Sequence, residues 1–281
     1  QTLDDYALAA RLAYFLWSGP PDAELLAVAA KGELSKPAVL RAQTDRLLGD
    51  PRAKRFTDNF TGQWLDLRSI DTSIPDPMLY GDFDGLLLWS MPRETRLFFD
   101  EILTHDRSLL EFVQSDWTFL NDRLAAHYGV PGVDGFALRK VPLPAGSRRG
   151  GVMTQASVLK VTADGTRTSP VLRGKWVLER IVGKPPAPPP PDVPSLEPDI
   201  RGATTIRQQL DKHRSIAACA SCHDHIDPPG FALEAFDPIG GYREFYRATT
   251  GDRKKTVAVR FHVSRPVYRG PDVEQGGTTH D

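Results

Sequence analysis

The only two cysteines of the 281-residue chain are Cys219 and Cys222, and His223 follows at once. Two cysteines cannot make the disulfide framework that replaces a core in small secreted domains. The chain must therefore fold by apolar packing, and the Cys-Ala-Ser-Cys-His run is left to do chemistry. C-x-x-C-H is the attachment signature of c-type haem. Two thiols spaced this way on a helical turn reach the two vinyl groups of one porphyrin. The adjacent histidine is carried under the iron as proximal ligand through Nε2. Its Nδ1–H then needs an acceptor, and the carbonyls just downstream, at Pro228 or Pro229, are the expected ones. Two other chemistries compete for the same residues. A structural zinc site could draw on Cys219, Cys222, His223 or His225, and His213, although a second C-x-x-C pair is missing. A redox dithiol would need a thioredoxin-like βαβ context, which the sequence does not offer.

Hydrophobic residues make up 40% and charged residues 25% of the chain, the composition of an ordinary globular protein with a core. A formal net charge of −1 leaves no global basic field for nucleic acid or an anionic membrane surface. No apolar run approaches the roughly 18–20 residues of a spanning helix. The length suits one large or two modest domains. The start at Gln1 and the Gly-rich end near Gly276-Gly277 suggest a piece of a longer polypeptide.

Apolar periodicity predicts a mainly α fold. Leu3, Tyr6, Ala10, Ala13 and Trp17 recur at helical spacing, with Thr2 and Asp5 placed as a capping box. Asp22 to Lys31 reads as a helix stopped by Gly32. Ser35 is the expected cap of the next, which ends at Gly49. Phe56, Phe60, Trp64 and Leu67 form one stripe, Pro92 reads as a helix start, and Asp116 to Tyr128 reads as a helix closed by Gly129. Four of the five tryptophans lie in this half, where they read as core. After Gly129, Gly and Pro become frequent, which marks a boundary. Thr168-Ser169-Pro170 is a helix start, and that helix runs to Gly183. Residues 184–198 (KPPAPPPPDVPSLEP) read as a stiff polyproline II strap. Thr205 to Arg214 reads as a helix, Ala232 to Phe236 as a short one, and 256–268 as a strand with Val257, Val259, Phe261 and Val263 on one face. The expected organisation is a helical module over 1–130, a cytochrome-c-like haem module with a Pro-rich strap and little β over 131–250, and an extended segment over 251–281 leading into a further domain.

The sixth ligand decides what an attached haem could do. Met or His closes the iron for electron transfer, whereas an empty position admits small molecules or peroxide. Met78, Met91 and Met153 all precede the motif, and none follows it. Met153 is the first candidate, because Gly150-Gly151 beside it permits close backbone approach. His262 on the expected strand is the second. Buried propionates need partners, for which Arg214, Arg173 and Trp176 are candidates, with Arg167 and Arg243 behind them. Neither G-x-G-x-x-G nor a P-loop pattern occurs, and no catalytic residues are assignable.

Three stretches carry a family resemblance: AARLAYFLWSGPPDAELLAVAAKGEL, RGGVMTQASVLKVTADGTRTSPVLRGKWVLERIVGKPPAPPPPDVP and HRSIAACASCHDHIDPPGFALEAFDPIGGYR. The chain resembles the planctomycete-type cytochrome c family, long exported proteins built of domains of unknown function. The resemblance implies one haem c held by Cys219, Cys222 and His223. It also implies export to the periplasm, where haem c is attached, and a partner that is either a redox protein or a further domain of the same longer chain. The expected function is electron transfer by a c-type cytochrome. The alternatives are a peroxidase- or oxidase-like haem enzyme with an open distal site, and a zinc-clamped scaffold without haem.

Overall fold

Apolar residues at helical spacing gather into separate buried clusters in the computed structural model of the chain, which describes residues 3–187, 206–215, 217–249 and 256–262. The architecture is mainly α with two small antiparallel strand pairs. Two compact units are present. One comprises residues 1–64 and 96–107, the other 65–95 and 108–281.

In the first unit, α1 (Asp5–Trp17) is capped by Asp4, whose carboxylate accepts from the Ala7 N–H at 2.7 Å. Thr2, the other half of the expected capping box, lies outside the described residues. The Asp5 carboxylate accepts from the Leu34 N–H and so ties a later loop to the helix. Asp22 caps α2 (Ala23–Ala30) as expected. Ser35 does not cap α3 (Pro37–Leu48); Lys36 occupies that position without a side-chain bond, and Pro37 opens the helix with a residue that has no N–H to satisfy. The core gathers Ala9, Ala13, Leu16, Trp17, Leu25, Ala29, Leu34 and Leu47. Trp17 donates its indole N–H to the Leu47 carbonyl at 2.9 Å, while the Arg52 guanidinium lies 3.5 Å from its ring centre. α4 (Lys54–Trp64) presents Phe56, Phe60 and Trp64 to Phe99, so the aromatic stripe is core.

Phe99 belongs to α5 (Gly85–Thr104), which contributes to both units and corrects a sequence expectation. Pro92 lies inside this helix rather than at its start. Burial outweighs the missing backbone bond: Leu87, Met91 and Phe98 are fully buried along the helix.

In the second unit, Asp116 to Tyr128 divides into β1 (Trp117–Leu120) and α6 (Asp122–Tyr128). The β-prone Trp-Thr-Phe-Leu run pairs with β2 (Arg139–Pro142), and Asn121 begins the helix by accepting from the Leu124 N–H. Ile70, Leu87, Met91, Leu120 and Leu124 pack around Ala156 of α7 (Ala156–Val161). Ser169 caps α8 (Pro170–Trp176), with Pro170 in its first turn, and the chain continues through a π-helical turn to Gly183. α9 (Ile206–Arg214) precedes α10 (Ala217–Ala232), which carries the cysteines. β3 (Phe245–Thr249) pairs antiparallel with β4 (Thr256–His262). The short helix expected over Ala232 to Phe236 is absent: Ala232 ends α10, 233–235 form a turn, and Phe236 pairs in an isolated bridge with Tyr242. Residues 188–198 of the Pro-rich run and residues 263–281 lie outside the described residues. No helix among the described residues is long and apolar enough to cross a membrane.

Candidate functional site

α10 owes its position to two glycines. A Cβ on Gly174 of α8 would lie 1.7 Å from the Ile226 carbonyl oxygen of α10, and one on Gly230 of α10 would lie 1.7 Å from the Pro170 carbonyl oxygen of α8. The pairs 170/174 and 226/230 are both four apart, so matching ridges of the two helices interlock at backbone distance. The clamped stretch 226–230 holds Asp227 between its contact points.

Cys219, Cys222 and His223 stand at i, i+3 and i+4 of α10 and share one face. Both thiols are free; Cys219 is buried and Cys222 half-buried. Asp227 continues the same face one turn on. His223 Nδ1 lies 3.0 Å from Asp227 Oδ1, and Asp227 is 0% exposed. An ionised carboxylate only accepts, so this partner assigns the proton to Nδ1 and leaves the lone pair on Nε2. Burial pushes the Asp227 carboxyl up, against the opposite pull of His223 and Arg214. Arg214 Nε stands 3.8 Å from Asp227 Oδ2, an ion pair beyond hydrogen-bond reach, and Oδ2 has no hydrogen-bond partner. The His213 ring packs edge-on against His223 with centroids 4.8 Å apart. Burial, and then His223, push the His213 imidazole below its ordinary range.

The expected carbonyl partner for His223 is thus replaced by a carboxylate. α10 runs straight through Pro228 and Pro229, which cannot donate to the carbonyls of Asp224 and His225; both of those residues are exposed. The signal was present in the sequence as a His–Asp pair four apart. It is hidden only if the helix is taken to end before the prolines.

Other sequence candidates fall elsewhere. Arg173 is 0% exposed and donates to the carbonyls of Leu233 and Phe236, both at 2.7 Å, and of Asp237 at 3.2 Å. Glu234 stands 3.7 Å away, and burial lowers the Arg173 pKa to about 10. This guanidinium is occupied in holding the 233–237 turn, which corrects its proposed role as a propionate partner. Trp176 is buried, and its indole N–H donates to the Leu65 carbonyl at 3.4 Å, so it too serves packing rather than a propionate. Arg243 is paired with Glu234 at 2.7 Å, and Arg167 is exposed. Arg214 is the candidate that does adjoin the motif, through Asp227. Met91 is core and Met78 is exposed. Met153 is half-buried on the turn Val152–Thr154. The glycines before it do permit close approach, but to the backbone of Phe112, Val113 and Ser115. His262 ends β4, and its side chain lies outside the described residues.

Sequence reasoning also missed a second polar centre. Glu94 is 0% exposed; Thr118 and Tyr128 donate to its two oxygens, each at 2.6 Å. Burial raises its pKa to about 7. The Arg149 guanidinium lies 3.6 Å from the Tyr128 ring centre, and the neighbouring Gln155 amide has no hydrogen-bond partner.

The donor set of α10 fits a covalently held haem: two free thiols one turn apart, and a histidine whose Nε2 carries the lone pair. No three His, Cys, Asp or Glu side chains among the described residues converge closely enough to hold a metal ion. Residues 3–130 match the family PSD4, "Protein of unknown function (DUF1592)", and residues 149–246 match PSCyt3, "Protein of unknown function (DUF1588)". Both are domains associated with planctomycete cytochromes c, which supports the family resemblance of the sequence. No curated protein and no solved structure matches the chain.

Proposed function

We propose that α10 is the attachment site of one haem c and that the chain is a redox module of an exported c-type cytochrome. The carrying observation is the common face formed by Cys219, Cys222 and His223, with His223 braced by Asp227. Cys219 and Cys222 would hold the group by thioether bonds and His223 would ligate iron through Nε2. The bound haem supplies a one-electron iron couple. The chain's own contributions are to bury Cys219, to orient His223 through Asp227, and to place Arg214 and His213 beside that pair. Periplasmic or otherwise exported placement follows from where haem c is attached. The partner is a redox protein or another domain of a longer chain. Met153 and His262 remain the candidates for a distal ligand.

A second reading, a haem enzyme with an open distal face, is favoured by one observation. A carboxylate behind the proximal histidine makes that ligand more basic, which stabilises oxidised iron.

The test is export of the chain from cells carrying the haem attachment machinery, followed by a haem stain on a denaturing gel. The expected result is a stained band that is weakened or lost in Cys222→Ala. An unstained wild-type band overturns both haem readings. Absorption spectra with and without carbon monoxide then separate them: an unmoved low-spin spectrum supports electron transfer, and ready binding supports the enzyme.

A further inference from the structure

Asp227 has no place in the attachment signature, yet the fold spends more on positioning it than on either cysteine. It is 0% exposed and lies within the five-residue stretch whose ends, Ile226 and Gly230, touch the α8 backbone. Its Oδ1 is on His223 Nδ1, while its Oδ2 faces Arg214 at 3.8 Å without a hydrogen bond. Glycine at 174 and 230 lets the two backbones touch, which fixes the stretch of backbone from which the Asp227 side chain reaches His223. The His213 ring, packed edge-on against that of His223, restricts the imidazole as well.

We propose, resting on the haem c reading above, that Asp227 is the positioning residue of the proximal ligand. Its carboxylate fixes His223 as the Nδ1–H tautomer with Nε2 turned to the iron, and holds the reduction potential of the site below the value a neutral acceptor would give. A carboxylate acceptor draws the imidazole toward imidazolate and strengthens its donation, and that donation favours the ferric state. A peptide carbonyl in the same place would orient the ring without adding negative charge. Arg214, the cation nearest to Oδ2, tempers this effect, and its distance leaves the carboxylate the dominant neighbour of His223.

The test uses the exported holoprotein with Asp227→Asn and Asp227→Glu. Asparagine keeps an acceptor oxygen and removes the charge; glutamate keeps the charge. At a fixed ambient potential, the reduced-to-oxidised haem ratio is expected to rise at least tenfold in Asp227→Asn, about 59 mV for a one-electron couple. Asp227→Glu should recover most of the wild-type ratio. In the ferric wild type, the proton resonance of His223 Nδ1–H should show a stronger hydrogen bond than in Asp227→Asn. Equal potentials and equal proton shifts, in variants that still stain for haem, overturn the proposal and leave the haem assignment standing. A wild type without stain removes the haem assignment itself. Should Asp227→Asn not accumulate, the wild-type spectrum decides alone: a His223 Nδ1–H resonance typical of a neutral carbonyl acceptor overturns the proposal.

Discussion

Gly174 stands so close to Ile226 that a single added carbon would sit 1.7 Å from the Ile226 carbonyl oxygen. No rotamer change relieves that contact, because the opposing atom is backbone. The α8–α10 crossing, and with it the place of the C-x-x-C-H face, depends on the absence of a side chain.

Gly174→Ala is therefore expected to force the two helices apart and to lower stability by about 3 kcal/mol or more, at the upper end of overpacking effects. Gly230→Ala should do the same through Pro170. The double variant should be less destabilised than the sum, since both act on one crossing. Thermal unfolding followed by circular dichroism measures all three. An unchanged midpoint in Gly174→Ala would show that the helices do not pack at this distance.

Arg173 is expected to matter for folding rather than for a ligand. Arg173→Met removes the guanidinium that donates to the Leu233 and Phe236 carbonyls and leaves Arg243 as the cation paired with Glu234. Breaking a buried ion pair on one side typically costs about 3–5 kcal/mol. Arg173→Lys should recover little, because one ammonium cannot follow the spread of acceptors that the guanidinium spans. Denaturant titration provides the measurement, and a loss of stability below about 1 kcal/mol contradicts the buried network.

Glu94 gives the second unit a pH dependence of defined sign. Its carboxyl titrates at about 7 when folded, against an ordinary value of 4.5. The folded chain therefore holds a proton that the unfolded chain releases, and stability falls as pH rises. The contribution is complete below 4.5, declines between 4.5 and about 7, and is gone above that, a span on the order of 3 kcal/mol. Glu94→Gln should flatten this part of the curve. Unfolding free energies measured from about pH 4 to about pH 8 supply the comparison.

Asp22 works in the opposite direction. It caps α2 through the Leu25 N–H and receives two bonds from Arg46, at 2.8 and 3.0 Å. The Arg46 bonds hold its carboxyl below the ordinary 3.8. Its contribution is present above that value and is lost as pH falls through the lower, folded one. Asp22→Ala should cost about 1–2 kcal/mol at neutral pH, as cap removals do. Asp22→Asn should cost less, because the amide oxygen still caps. Equal losses in the two variants would assign the whole effect to the ion pair.

The reading of local structure succeeded where one residue's chemistry acts on its neighbours. Asp22, Ser169-Pro170, Gly129 and Gly183 mark helix ends as their side chains or their freedom at positive φ require. It failed where a local preference met a distant contact. Pro92 read as a helix start, yet lies inside a helix that packing holds together. Trp117–Leu120 joined a helix on paper because its strand partner, Arg139–Pro142, lies across an intervening helix and loop. Arg173 read as a propionate partner because nothing near it in sequence announces the 233–237 carbonyls.

By itself the sequence determined the predominantly helical class, the capped helix starts, and the pairing of two thiols with a histidine at a spacing suited to haem. Those features depend on residues within one or two turns of each other. The tertiary structure alone decided which arginine is buried, that α10 continues through two prolines, and that His223 meets a carboxylate rather than a carbonyl. Each of these depends on the burial and close backbone approach set by α8, whose residues lie about fifty positions earlier than those they contact, and hydrophobic burial carries no information about sequence separation.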